Sequence, residues 1–520
     1  MDGLKKPLTV LTLAALLSLP ASAFVTIDGT RFLDSDGRQL LLRGVNVVEK
    51  SKDRRYLGVE TADDFAAMRD WGFNCIRLGI IWDGVEPEPG KFDDEYLAGI
   101  DQRIEWARAN GLYVLLDMHQ DLFSVKYSDG APEWATLDEG NPHPNNSKVW
   151  SDAYFTSRAV QVAFDNFWAN KPAPDGVGLQ DHYAAAWRHV ADRYKDNPTV
   201  IGFDLMNEPF IGSGAVKAQF LLVSKLAQIL SAKDPSHPLT AFDIIGKWGD
   251  TAARSDFIKS LTDIDAFRSV IEAPQSLFQT FDRTRLTPFY QRVATAIRTV
   301  DRRHILFLEP TLASNFGVAS VVEPLTLPDG TRDPLQAWAP HAYDLVSDTP
   351  DIASPSPARV EFILERHADT ARRLSMPLFV GEWGSYTLHP GTLPAARFVT
   401  GQFEKLLCSD TYWSWSPALS RSEAFGALRR AGPTAVAGTL VRFETDVEKG
   451  TMTCVWEEDP KVSAPTRVYV PEGYAITKER VVVSPGGEGV TVEPVSGGGA
   501  YVVIPTTGKG IERRLTLKAK

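Results

Sequence analysis

Thr199-Val200-Ile201-Gly202-Phe203-Asp204-Leu205-Met206-Asn207-Glu208-Pro209 is a short apolar run that ends on a carboxylate. An apolar run of this length, bounded by turn residues, reads as a buried strand. The same pattern returns far downstream, where Pro377-Leu378-Phe379-Val380 leads into Gly381-Glu382-Trp383-Gly384. Working outward from these two, further strands are expected at Leu40 to Val45, Cys75 to Leu78, Tyr113 to Asp117, Val200 to Met206, Ile305 to Leu308, Ala337 to Ala342, Leu378 to Val380 and Tyr412 to Trp415. Helical patterns such as Thr61 to Trp71, Leu97 to Asn110 and Leu179 to Tyr194 separate most of them. Eight strands alternating with helices predict an α/β fold, a (β/α)8 TIM barrel, whose functional groups sit at the C-terminal strand ends. Both Glu208 and Glu382 fall there.

The barrel is expected over residues 24–432. Residues 1–23 read as a secretory signal peptide: Lys5 and Lys6, an apolar stretch from Leu8 to Leu19, and the small residues Ala21-Ser22-Ala23. The expected destination is therefore outside the cytoplasm, extracellular or periplasmic. No later segment reads as long and apolar enough to cross a bilayer. Near Pro433 helical periodicity stops and short β-branched runs follow: Leu440 to Glu444, Thr451 to Trp456, Thr466 to Val470, Arg480 to Val483, Val490 to Val495, Ala500 to Ile504 and Arg513 to Leu517. Residues 433–520 are expected to form a β-sandwich domain. A long insertion, about 211–285, leaves the barrel directly after Glu208. Within it Phe220, Val223, Leu226, Ala227 and Leu230 make one apolar stripe. Packing on the barrel is the favoured reading, and a lipid-contacting flap is the alternative.

Composition narrows the partners. The net charge of -11 disfavours nucleic acid, whose phosphates need concentrated Lys and Arg. Cys75, Cys408 and Cys454 are widely spaced and odd in number, so neither a disulfide framework nor a zinc site is expected. No cofactor or metal is called for, and a monomer is expected.

Two carboxylates at the ends of different buried strands suit cleavage of a glycosidic bond. Glu208 is the expected acid/base and Glu382 the nucleophile. A retaining pair stands about 5–5.5 Å apart. The acid must hold its proton, and a neighbouring carboxylate raises its pKa. Asn207 can donate to a sugar hydroxyl. Arg77 can orient Glu382. His341 and Tyr343 can position nucleophile and ring. Trp413 and Trp415 can form a stacking floor, with Trp415 preferred. Glu309-Pro310 looks like Glu208-Pro209 but lacks the preceding Asn, and reads as structural.

Asn207-Glu208-Pro209 and Gly381-Glu382-Trp383, with Arg77, His341 and Tyr343, resemble glycoside hydrolase family 5. Within that family, Leu116-Asp117-Met118-His119-Gln120-Asp121-Leu122-Phe123-Ser124 resembles the endoglycoceramidases. So do Asp129-Gly130-Ala131-Pro132-Glu133-Trp134-Ala135 and Ala163-Phe164-Asp165-Asn166-Phe167-Trp168. The resemblance implies hydrolysis of the β-bond between a whole glycan and ceramide, with a glycosphingolipid as partner and transient contact with a membrane surface or micelle. It also implies that Lys50 and Asp121 bind the first sugars, that His119 supports the site and that Trp150 stacks on a ring. The insertion is longer than the resemblance leads one to expect. A family 5 endoglucanase or mannanase, or a non-catalytic glycolipid-binding barrel, are the other readings.

Overall fold

The computed structural model describes residues 24–144 and 149–519; the signal peptide expected over 1–23 lies outside them. Eight strands form one parallel sheet: β1 (Arg43–Val47), β2 (Cys75–Ile81), β3 (Tyr113–His119), β4 (Val200–Asp204), β5 (Ile305–Leu308), β6 (Gln336–Trp338), β7 (Phe379–Val380) and β8 (Ser409–Tyr412). Each pairs with the next, β8 pairs with β1, and a bridge from Trp338 to Leu378 closes the ring between β6 and β7. Parallel strands covered on both faces need unbroken apolar runs; β2 is buried along its whole length.

Three strands differ from expectation: β1, expected from Leu40 to Val45, begins at Arg43, because Gln39–Leu40 pairs instead in an antiparallel sheet outside the barrel. β8 runs from Ser409 to Tyr412, three residues before the expected span, because its polar residues have partners inside the fold. Ser409 Oγ accepts from the Leu42 amide at 3.0 Å, Thr411 donates to the Gly381 carbonyl at 2.6 Å, and Asp410 pairs with Arg430. Trp413 and Trp415 therefore lie past the strand, at the barrel mouth. The run expected from Ala337 to Ala342 is interrupted by Pro340, which has no N–H to give a ladder. Its second half, His341–Ala342, pairs instead with Glu382–Trp383, and His341 stands directly opposite Glu382.

The C-terminal region forms two antiparallel sheets. One contains Gly438–Asp446, Thr451–Glu458, Glu512–Leu517 and Val481–Ser484. The other joins Gly432–Val436, Thr466–Val470, Ala500–Ile504 and Thr491–Pro494 to three strands from the beginning of the described chain, Thr26–Asp28, Arg31–Leu33 and Gln39–Leu40. The chain start thus belongs to this second sheet, not to the barrel wall. Its hairpin also plugs the barrel floor. Phe32 stacks on Phe307 of β5, with ring centroids 5.9 Å apart, and Val25 and Leu40 pack among Cys75, Leu115, Ile201 and Phe379. Cys75, Cys408 and Cys454 are buried free thiols.

The insertion is helical, comprising α1 (Gly214–Lys233), α2 (Ala241–Lys247), α3 (Thr251–Ser260), α4 (Ile264–Glu272) and α5 (Gln275–Phe281). Of the apolar stripe on α1, Val223, Leu226 and Ala227 are buried and Leu230 is half-buried, but Phe220 faces outward. The expectation that no segment beyond the leader is apolar enough to span a bilayer also needs correction. The 20-residue α1 reaches a mean hydropathy of 1.2, and only 28% of that window is buried.

Candidate active site

Arg77, on β2, organises the barrel mouth. Its guanidinium is fully buried and donates to Glu382 Oε1 (2.8 Å), Glu309 Oε1 (2.7 Å), Asp204 Oδ2 (2.9 Å), Asn207 Oδ1 (3.0 Å) and Asn46 Oδ1 (3.0 Å). Asp117 forms a further ion pair at 2.9 Å. A planar fork with five N–H groups is the side chain suited to so many acceptors at once.

Glu382 lies on the short strand beyond β7. Its other oxygen accepts from the Tyr343 hydroxyl at 3.0 Å. Glu208 follows β4 with φ at +44°, a left-handed backbone that a non-glycine residue holds only when its surroundings enforce it. Here its amide donates to Glu309 Oε2 at 2.9 Å, and Gln120 Nε2 donates to its carbonyl at 3.2 Å. Glu208 Oε1 accepts from Asn315 Nδ2 at 2.5 Å and lies 2.9 Å from His341 Nδ1. That nitrogen is 3.5 Å from Glu382 Oε2, so one imidazole sits between the two carboxylates. Each of the three residues has a ligating atom within 4.8 Å of the others. Asn207 gives its oxygen to Arg77 and one N–H to the Gln120 carbonyl, leaving one N–H for the cleft.

A second set lines the neighbouring wall. Lys50 pairs with Asp121, lies 4.0 Å from Asp129, and stands 4.7 Å over the Trp413 ring and 6.0 Å over that of Trp150. Trp413 also stacks on His119, with ring centroids 5.3 Å apart and planes 13° from parallel. His119 Nδ1 is 2.8 Å from Asp117 Oδ2, while its buried Nε2 has no hydrogen-bond partner among the described residues. Trp150 is largely exposed at the rim. Trp413 joins this wall, whereas Trp415, the one preferred for stacking, bonds its amide to the Asn46 carbonyl and is half-buried against the core.

Glu309, read from the sequence as structural, is buried between Arg77, the Glu208 amide and His341 Nε2, which is 3.1 Å away. Its place after β5, in the same strand-end position as Glu208, was the available signal. Asn315, on a 3-10 turn reaching across from beyond β5, carried no such signal.

Charge in this cluster is unbalanced. Two cations, Arg77 and His341, face Asp117, Asp204, Glu208, Glu309 and Glu382. Burial disfavours the charged forms of Asp117, Asp204, Glu309 and Glu382. Burial lifts Glu382 to about 7, partly opposed by His341 and Arg77. Burial, reinforced by Asp204, lifts Glu309 to about 8. Burial also lifts Asp117 and Asp204 to about 6 each. Burial works against the protonated imidazole of His341, but Glu309, Glu382 and the bond to Glu208 outweigh it and raise its pKa well above normal. Three acidic clusters here are tight enough to hold an ion. In each a side chain of the protein supplies positive charge: Lys50 at Asp121, Arg77 at Asp204 and Glu309, and His341 between Glu208 and Glu382.

A family model covers the stretch that holds these strand-end carboxylates. The model for cellulase (glycosyl hydrolase family 5) fits residues 33–419. The chain belongs to glycoside hydrolase family 5. The family 5 C-terminal domain model fits residues 430–516, the two-sheet region. Among family 5 relatives, an endoglycoceramidase of Cyanea nozakii is 34% identical over 234 residues, 39% of this chain and 45% of that protein. Endoglycoceramidase I of Rhodococcus hoagii is 34% identical over 200 residues, 37% of this chain and 39% of its own. The aligned stretches thus span under half the length of these curated relatives. The solved endo-glycoceramidase II from Rhodococcus sp. superposes with a TM-score of 0.70 at 28% identity, covering 94% of this chain and 99% of that one. It has also been solved as a complex with ganglioside GM3.

Proposed function

We propose that this family 5 member is a retaining endo-β-glycosidase that separates the whole glycan of a glycosphingolipid from ceramide. The observation that carries the reading is the carboxylate pair, Glu208 and Glu382, bridged by one imidazole beside a wall of Lys50, Asp121, His119 and Trp413. The likeness to endo-glycoceramidase II, with its GM3 complex, supports the choice of substrate.

The chemistry follows from the hydrogen bonds. Arg77 and Tyr343 hold both oxygens of Glu382, aiming the carboxylate while leaving lone pairs for attack. Glu208 gives its proton to the glycosidic oxygen as ceramide leaves, and Glu382 forms a bond to the anomeric carbon. Glu208, now ionised, takes a proton from water, which attacks the glycosyl ester and releases the glycan with its original anomeric configuration. The closeness of the pair, within 4.8 Å through their nearest ligating atoms, favours retention over inversion, since an inverting pair leaves room for water. Binding would use the remaining Asn207 N–H, the free His119 Nε2 and the Trp413 face. Residues 1–23 direct the chain to export in this reading.

Incubation with gangliosides and neutral glycosphingolipids, beside soluble cello- and manno-oligosaccharides, tests it by mass spectrometry. Intact oligosaccharide plus free ceramide is expected. Cleavage of the soluble oligosaccharides alone would keep the two-carboxylate chemistry and remove the lipid assignment.

A further inference from the structure

The two carboxyl oxygens of Glu208 stand in different surroundings. Oε1 accepts from Asn315 Nδ2 at 2.5 Å and faces His341 Nδ1 at 2.9 Å. Oε2 makes no hydrogen bond or ion pair among the described residues, and the side chain is 9% exposed. The imidazole is divided among three carboxylates, since the same Nδ1 lies 3.5 Å from Glu382 Oε2 and Nε2 lies 3.1 Å from Glu309 Oε1. Asn315 gives its amide to no other side chain among the described residues, so it is the donor that serves Glu208 alone. A single contact leaves a carboxyl free to pivot about it, whereas two contacts from different elements fix its plane.

The turn that carries Asn315, Leu312–Phe316, is fastened on several sides. Leu312 donates its amide to the Pro209 carbonyl at 3.0 Å, which ties the turn to the residue after Glu208. Gly317 closes the turn at φ +97°, and a Cβ there would stand 2.8 Å from the Phe362 ring. Asn315 itself is only 3% exposed. Its carbonyl accepts from the Tyr343 amide at 3.3 Å, and the Tyr343 hydroxyl donates to Glu382 Oε2 at 3.0 Å. One residue thus touches the proposed acid through its side chain and the support of the proposed nucleophile through its backbone.

Resting on the glycosidase reading above, we propose that Asn315 is the positioning residue that assigns the roles of the two Glu208 oxygens. An amide N–H only donates, so Oε1 is kept as an acceptor and the proton of the acid form sits on Oε2. Oε2 gives that proton to the glycosidic oxygen as its bond to the anomeric carbon breaks and the bond from Glu382 forms. In the second step Oε2 takes a proton from water, whose oxygen bonds to the anomeric carbon as the ester to Glu382 breaks. Both transfers need the same oxygen in the same place. The bond from Asn315 suits both, because it persists in the acid form and strengthens when Glu208 is ionised.

Asn315→Ala and the similarly sized Asn315→Leu, in the full-length chain, test this on lactosylceramide and on a dinitrophenyl β-lactoside. With lactosylceramide, whose leaving oxygen needs the proton, kcat/KM should fall by about tenfold to a hundredfold, the effect of a misplaced catalytic group. With the dinitrophenyl lactoside the first step needs no acid, so kcat/KM should stay within about threefold. Its second step still needs Glu208 as base, so kcat should fall on that substrate and a burst of dinitrophenolate should precede the steady state. A merely structural role lowers kcat/KM on both substrates alike, and that result overturns the proposal. A loss confined to Asn315→Ala marks a packing defect and overturns it too. If the unsubstituted chain hydrolyses neither substrate, the glycosidase reading fails; if it hydrolyses both and the Asn315 variants match it, only the role of Asn315 fails.

Discussion

Glu208 is held at both ends: Asn315 and His341 fix its carboxyl, while Glu309 and Gln120 fix its backbone. Its role as acid predicts a dependence on the leaving group. Glu208→Ala should slow release of ceramide by about 10²–10⁴-fold, the usual contribution of a positioned acid. A lactoside with a nitrophenolate leaving group needs little protonation, so its first step should fall far less; equal losses on both substrates would contradict the assignment. Glu309 makes a second residue-scale prediction. Glu382 attacks only when ionised, and burial raises it to about 7, so kcat/KM should climb as pH rises through that region. Glu309, lifted to about 8, keeps its proton through most of that region, so Glu309→Gln should leave the acidic limb of the profile nearly in place. A limb moved to clearly lower pH would show that Glu309 is ionised while Glu382 titrates.

At the scale of the element, the closeness of β1 to β2 is the feature most sensitive to substitution. A Cβ on Gly44 would stand 1.7 Å from the Cys75 carbonyl oxygen, which is backbone and cannot rotate away. Gly44→Ala should lower unfolding stability by at least the 1–3 kcal/mol or so typical of overpacking, read from urea midpoints. Strands of this kind were legible in the sequence because burial on both faces leaves only apolar residues: β2, β3, β4 and β5 appear where their runs predict. β8 was displaced because Ser409, Asp410 and Thr411 are polar residues satisfied by distant groups, which a local apolar pattern does not reveal. That displacement puts Trp413 and Trp415 past the strand end. The positions of Glu208 and Glu382 at the barrel mouth were legible from their strand ends. The partners of Glu309 were not legible, because only the closed barrel brings His341 and Arg77 to it. Phe220 was placed in the packed stripe by periodicity, yet only the depth of the neighbouring surface decides which edge of an apolar face is covered.

For the whole molecule, the buried carboxyls couple stability to pH. Glu309 is lifted from 4.5 to about 8 and Glu382 from 4.5 to about 7, so between those limits the folded chain binds more protons than the unfolded chain. Their contribution is complete below the unfolded values and is lost as pH rises through the folded ones. Urea midpoints should therefore fall between about pH 5 and pH 8. Glu309→Gln, which has no carboxyl to ionise, should flatten that fall; a steeper fall would contradict the assignment. The barrel and the two-sheet region should unfold in one transition, because Thr26–Asp28, Arg31–Leu33 and Gln39–Leu40 share a sheet with Gly432–Val436 while their hairpin fills the barrel floor. The central claim is that Glu382 bonds to the sugar. A 2-deoxy-2-fluoro-β-lactosyl fluoride should inactivate the protein by leaving its disaccharide on a carboxylate, and peptide mass spectrometry locates it. The adduct is expected on Glu382, in the peptide holding Gly381-Glu382-Trp383; an adduct on Glu208 or Glu309, or turnover of natural substrate with inversion at the anomeric carbon, would contradict the account.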